Sequence, residues 1–265
     1  VFAAAFAEAG TAARVVFPTT ITEAFPGFQR RPRIAMRSLF KVARAEGPDA
    51  RYWFETRPAE DARAVRDARL RPEAAFAFHF DKLALRPTTA WVQVPEALLA
   101  DPAALASFID FRLLVRLGTA ENQTLALGPG GLLEIAGARR LPAGSDPVSS
   151  LLAACDRVEL MGGSADGIVM STTDYYRYLV PRQDIVSSLA GLGIRIARTR
   201  MVDPGTVIVG DFFAGATIYD SGQSTIAFGR PPDGTFAQGG LAVQGEIRTA
   251  LAIHLPTHFF VASLV

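Results

Sequence analysis

The chain has 265 residues, of which 49% are apolar and 20% charged, with a formal net charge of +1. This composition excludes a disordered chain, and the charge balance excludes a general nucleic-acid binder, which needs a clear basic excess. The length allows one large domain or two small ones.

Residues 1–47 read as an arm. Pro18, Pro26 and Pro32 interrupt every periodic run, while Phe17, Phe25, Phe28 and Phe40 are scattered without helical or strand spacing. Large apolar side chains on an irregular segment have to be covered by something, either the chain's own surface or a neighbouring copy. Val1–Ala13 is apolar but lacks the charged n-region of a signal peptide. The sequence contains no transmembrane pattern.

Residues 50–86 predict a two-stranded excursion. Tyr52-Trp53-Phe54 is rich in strand formers, and Phe76, Phe78 and Phe80 recur at period two, on one face of a strand. The intervening stretch from Arg57 to Arg71 is a charged, solvated tip. An isolated hairpin is marginal in water, so an aromatic face here is expected to pack on another chain.

Asp101 as N-cap and Pro102 at the first helical position open a long helix. Leu105, Ile109, Leu113 and Leu117 recur every four residues, and Gly128-Pro129-Gly130-Gly131 ends it. Asp146-Pro147 opens a second helix through Leu160, with Cys155, the single cysteine, on its buried face; a disulfide or a cysteine-ligated zinc site has no partner for it. Strands follow at Gly167–Ser171, Ile194–Thr199 and Thr206–Phe213, with a short helix over Thr173–Leu179. Ser221-Gly222 predicts the turn of a hairpin between Ala216–Asp220 and Gln223–Phe228. Leu241, Val243, Ile247, Leu251, Ile253 and Leu255 share one parity of a long half-buried strand.

Catalytic motifs are weak. Gly191-Leu192-Gly193 is followed by a strand pattern, so it reads as a turn and not as a dinucleotide loop. Gly128–Gly131 lacks the Lys and Ser/Thr of a phosphate loop, and no Gly-x-Ser-x-Gly elbow occurs. His254 and His258 have metal-like separation, but Pro256 lies between them and no third ligand is near. No cofactor, metal or catalytic residue is expected.

The order of these elements, with local phrases such as Thr89-Ala90-Trp91-Val92-Gln93-Val94-Pro95, Asp166-Gly167-Ile168-Val169-Met170 and Gly205-Thr206-Val207-Ile208-Val209-Gly210-Asp211, resembles the Hong Kong 97-type shell proteins. These comprise the major capsid proteins of tailed phages and the encapsulin nanocompartments. The resemblance implies an α+β fold with an N-terminal arm (1–47), an E-loop hairpin (48–88), a peripheral P-domain with its spine helix (89–140), an axial A-domain (141–228) and a closing P-domain strand (229–265). It implies a structural protein, not an enzyme, that self-assembles into an icosahedral shell of many copies without a membrane. As a phage or prophage capsid it would enclose double-stranded DNA in a virion; as an encapsulin it would enclose a cargo protein in the bacterial cytoplasm. An initial residue other than Met is read as processing, which favours the capsid. A distant alternative is an α/β enzyme of unknown type.

Expected inter-subunit contacts are Phe17, Phe25 and Phe28 on the arm and Trp53, Phe76, Phe78 and Phe80 on the hairpin. One branch of the resembled family joins an E-loop lysine to a P-domain asparagine. Here Lys82 is the hairpin's only lysine and lies near its base, and Asn122 is the chain's only asparagine and lies in the spine helix. Non-covalent contacts between subunits are therefore expected.

Overall fold

The computed structural model describes residues 13–17, 36–55, 78–95, 98, 100–137, 139–229 and 240–264. Its strands form two five-stranded sheets and one separate two-stranded ribbon.

The first sheet has the order β1-β10-β11-β5, from β1 (Ala13–Phe17), β10 (Ala216–Gly229), β11 (Gly240–Ile253) and β5 (Arg86–Pro95). A further strand, β2 (Lys41–Arg44), runs parallel to the first part of β10, while β1 runs antiparallel to its second part. Along β5 the alternation is strict: Thr88, Ala90, Val92 and Val94 are buried while Thr89, Trp91 and Gln93 are exposed. Such a period-two pattern marks a sheet with one covered face.

The cover is the long helix. Asp101 Oδ1 accepts from the amides of Ala103 and Ala104 at 3.0 and 3.1 Å and caps α1 (Pro102–Phe108). A π turn at Ile109–Leu113 leads into α2 (Leu114–Leu127). The π turn explains why apolar residues can recur every four positions. In a pure α-helix of 3.6 residues per turn that series drifts around the axis; one wider turn absorbs the drift. Leu105, Ile109 and Leu113 consequently stay on the sheet side and pack with Val92, Val94, Ile226, Phe228, Val243 and Ile247. Each such side chain contributes about 1.5–3 kcal/mol by leaving water.

The second sheet has the order β6-β12-β9-β7-β8, built from β6 (Arg140–Leu141), β7 (Gly167–Ser171), β8 (Arg195–Thr199), β9 (Thr206–Gly210) and β12 (Phe259–Ser263). β7 is buried along its whole length because helices cover both faces. Ile168, Met170, Val207 and Val209 meet α4 (Pro147–Leu160) through Leu151, Ala154 and Val158. On the opposite face Val169, Ile208 and Val261 meet Leu125, Ala126, the residues Leu132 and Ala136 of α3 (Leu132–Ala136), and Met36, Leu39 and Phe40. This cluster also holds Ala216, Ile218 and Ile253 of the first sheet, so one core joins the two sheets. Gly167 and Gly210 have no side chain because the rings of Phe212 and Phe259 occupy the space where a Cβ would stand.

Several expectations are corrected here. Ser221-Gly222 is not a hairpin turn: β10 continues through it with a register shift between Asp220 and Ser224. Gly222 has φ +65°, and a Cβ there would lie 2.7 Å from Arg44 Nε, so a bulge glycine looks like a turn glycine in sequence. The strand expected to reach Phe213 stops at Gly210, because Asp211 caps the short helix α5 (Phe212–Gly215). β11 ends at Ile253, so Leu255 falls outside it. The A-domain boundary at 228 cuts through a continuous ladder, since β10 pairs with β11 in the first sheet, and the supposed P-domain end 229–265 sends β12 into the second. Residues 36–47, read as arm, are part of the body: Met36–Leu39 is a 3₁₀ turn with Met36 and Leu39 in the shared core. Among the described residues no helix is long and apolar enough to cross a membrane.

Candidate assembly surfaces

The ribbon consists of β3 (Asp49–Glu55) and β4 (Phe78–Ala84), antiparallel from Asp49 opposite Ala84 to Glu55 opposite Phe78. Trp53 stands opposite Phe80, and these two rings are 39% and 83% exposed. A ribbon of two strands has no second layer of its own, so its aromatics cannot all be covered within it. The structure brings Trp53 and Phe80 together as expected. Phe78 is placed only as the partner of Glu55, and Phe76 lies outside the described residues. Phe17 closes β1 opposite Ser224 of the same chain, so the described part of the arm before residue 36 is hydrogen-bonded into its own sheet; Phe25 and Phe28 lie outside the described residues.

At the end of its described ladder remote from Asp49 and Ala84, the ribbon is fastened to the body by His254. The Glu55 amide donates to the His254 carbonyl at 2.8 Å, and the ring contacts the Trp53 carbonyl at 2.7 Å and the Thr217 hydroxyl at 2.9 Å. Both contacts suit a neutral imidazole that donates from Nδ1 and accepts at Nε2. Burial holds its pKa below the ordinary value and Lys41 adds to that, outweighing the pull of the Trp53 carbonyl in the other direction. A lowered folded-state pKa gives stability that is complete above the unfolded value of about 6.5 and is lost as pH falls through the folded one. Hydrogen exchange at the Glu55 amide, corrected for intrinsic rates, should thus lose protection as pH falls from about 7.5 to about 5. A His254→Gln variant should lack that pH dependence; equal protection at both pH values in the wild type would refute the coupling.

Trp91 and Phe111 are each 55% exposed on the first sheet and its helix, and sequence reasoning missed both. Trp91 and Val92 line a shallow groove with Phe108, Arg112 and Arg116. The signal was present: Trp91 is an aromatic on the polar parity of an alternating strand. β5 is also an edge strand, and its outer row of backbone groups invites pairing with another chain.

A buried ionic cluster sits where residues 36–44 join the body. Arg37 Nη2 lies 2.8 Å from Glu121 Oε1 and 2.6 Å from Asp220 Oδ2, with all three side chains at most 11% exposed. Burial pulls the guanidinium pKa down, but the two carboxylates outweigh it and hold it above its usual value. Beside it, Asn122 Oδ1 accepts from the Met36 amide at 2.9 Å. Asn122 is 4% exposed, with its side-chain oxygen engaged by that amide.

No family model matches the sequence. It is 26% identical to the major capsid protein of Enterobacteria phage HK97, over 88% of this chain. The chain spans 64% of that relative's length. Among solved structures, a chain of Mycobacterium phage Adephagia superposes with TM-score 0.60 at 14% identity, covering 85% of this chain and 88% of the other. A virus-like particle from Pyrococcus furiosus gives 0.61 at 16%, covering 88% and 93%. The capsid of an empty GTA particle gives 0.59 at 16%, covering 88% and 90%. In sequence the chain is similar to a Hong Kong 97-type major capsid protein, and its α+β fold is that of the phage and virus-like-particle shell proteins it superposes on.

Proposed function

We propose that this chain is the repeating subunit of a closed, many-copy icosahedral shell. The observation that carries the reading is the Trp53–Phe80 face: an aromatic pair on a two-stranded ribbon, with Phe80 83% exposed although the ribbon is hydrogen-bonded to the body at Trp53 and Glu55. Together with the exposed Trp91, Phe111 and β5 edge it gives the subunit apolar surfaces at separate places. A heterologous contact repeated around closed symmetry covers all of them at once. The role is structural, not enzymatic, in keeping with a relative named as a capsid protein.

The primary reading is a tailed-phage or prophage-derived major capsid protein of the virion, enclosing double-stranded DNA. The similarity to the Pyrococcus furiosus particle keeps an encapsulin-type compartment with a protein cargo as the second reading. Size-exclusion chromatography of the purified chain should give a megadalton peak with uniform particles by negative stain; a peak near 28.4 kDa or twice that overturns the shell. Nuclease-resistant DNA in particles from the native source supports the capsid, and a co-purifying enclosed protein the compartment.

The hold between subunits is non-covalent: Asn122 is buried and engaged, Lys82 lies near the ribbon base, and residues 229–265 contain no asparagine. Boiled in detergent, particles should run as a single band near 28.4 kDa. A ladder of multiples that resists boiling and reductant would contradict this.

A further inference from the structure

A cavity of about 290 Å³ lies between α2 and the far end of β8. Its polar lining comes from Thr119 and Asn122 on α2, Thr172 and Tyr176 from the helical turns after β7, and Arg198, Thr199 and Arg200 at and beyond the end of β8; no carboxylate is among the lining residues. Arg198 is half-buried, with its guanidinium 4.5 Å over the Tyr175 ring and Nη1 3.4 Å from the Tyr176 hydroxyl. Among the described residues neither Arg198 nor Arg200 has an acidic partner. Of the acidic residues close in sequence to the lining, Glu121 is engaged with Arg37 and Asp174 with the Ser171 hydroxyl and the Gly205 amide, and Asp203, two positions after Met201, is not among the lining residues. Two arginines thus line one small space that has no carboxylate in its lining, beside Tyr176, which is 56% exposed.

We infer that this cavity binds a single nucleotide unit, with the phosphate on Arg198 and Arg200 and the base against Tyr176. The guanidinium fork matches phosphate oxygens bidentately. The Thr172 hydroxyl stands at the same wall as a further donor. A tyrosine face beside arginines is the sequence-tolerant platform on which bases stack. The volume is at the lower end of small-ligand sites, which suits one nucleotide and is too compact for an extended acidic peptide. The unit can come from a free nucleotide or from a single strand. The site lies within one subunit, so its failure would leave the shell reading intact.

The test uses the full chain, unassembled and assembled, with AMP by calorimetry, a fluorescein-labelled ten-nucleotide thymidine strand by anisotropy, and a decaglutamate peptide. AMP and strand should both bind, more weakly as salt rises. Arg200→Ala and Tyr176→Ala should each lower affinity by about tenfold with unchanged thermal unfolding. Strand binding without AMP binding assigns the site to nucleic acid alone and still supports it. Binding of decaglutamate in place of nucleotides, binding of neither, or variants that bind like the wild type would each overturn the inference.

Discussion

Replacing Arg37 by Ala is expected to destabilise the unassembled subunit by about 3–5 kcal/mol, the usual cost of leaving a buried charge without its partner. Arg37 is the sole cation shown at Glu121 and Asp220, whose side chains are 3% and 4% exposed. Without it two carboxylates face each other at low dielectric, each stripped of water. Asp220 keeps the Gly222 amide at 2.7 Å, which offsets a fraction of the loss. Denaturant unfolding at pH 7 measures the change. A second variant identifies the cause: Arg37→Met, which keeps most of the packing volume but removes the charge, should show a deficit of similar size. Near wild-type stability of Arg37→Met would mean that lost packing, not charge, is responsible. Glu121→Gln should cost less, because Arg37 keeps Asp220.

Phe80→Asp is expected to abolish assembly while leaving the subunit folded. Phe80 is 83% exposed, so its replacement should change monomer stability by less than about 1 kcal/mol, the range of a cross-strand aromatic pair. Truncating a buried aromatic anchor at an interface typically costs about 2 kcal/mol or more, and a shell loses it at every repeated contact. Phe78→Asp, on the same strand parity, should act the same way. Negative stain and size exclusion separate the outcomes: normal particles would show that the ribbon face is not an interface, and a misfolded subunit would show that the rings pack on their own chain.

Much of this fold was legible because its signals are local. Asp101-Pro102 and Asp146-Pro147 announce helix starts through side-chain caps that both form. β7 and β8 follow from alternation or continuous apolar runs, whereas β5, which alternates as plainly, is read only for its family resemblance. What stayed hidden depends on partners remote in sequence. Nothing within Ala216–Gly229 distinguishes a hairpin from one bulged strand, because the difference lies in whether β11 pairs across the whole length. Phe259–Ser263 reads as a strand for either sheet, and only the β9 ladder places it. Met36-Arg37 looked like irregular arm because what fixes it, Glu121, Asn122 and Asp220, stands about 84 to 183 positions away. At the candidate interface, Phe80 was recognisable from aromatic periodicity and Trp53 from strand-forming composition, whereas Trp91 stands in a stretch read only for its family resemblance.

The double partnership of β10 bears on when the subunit can finish folding. β2 and β1 find their ladder partners at Thr217–Asp220 and Ser224–Phe228, and Arg37 needs Asp220. During synthesis, residues 13–17 and 36–44 leave the ribosome long before those partners exist. Contacts across so much chain form slowly, and apolar groups wait exposed in the meantime. Met36, Leu39 and Phe40 are therefore the segment that a chaperone or a premature neighbour would meet on the nascent chain. A subunit that begins to assemble before β10 emerges would do so with its central sheet unfinished.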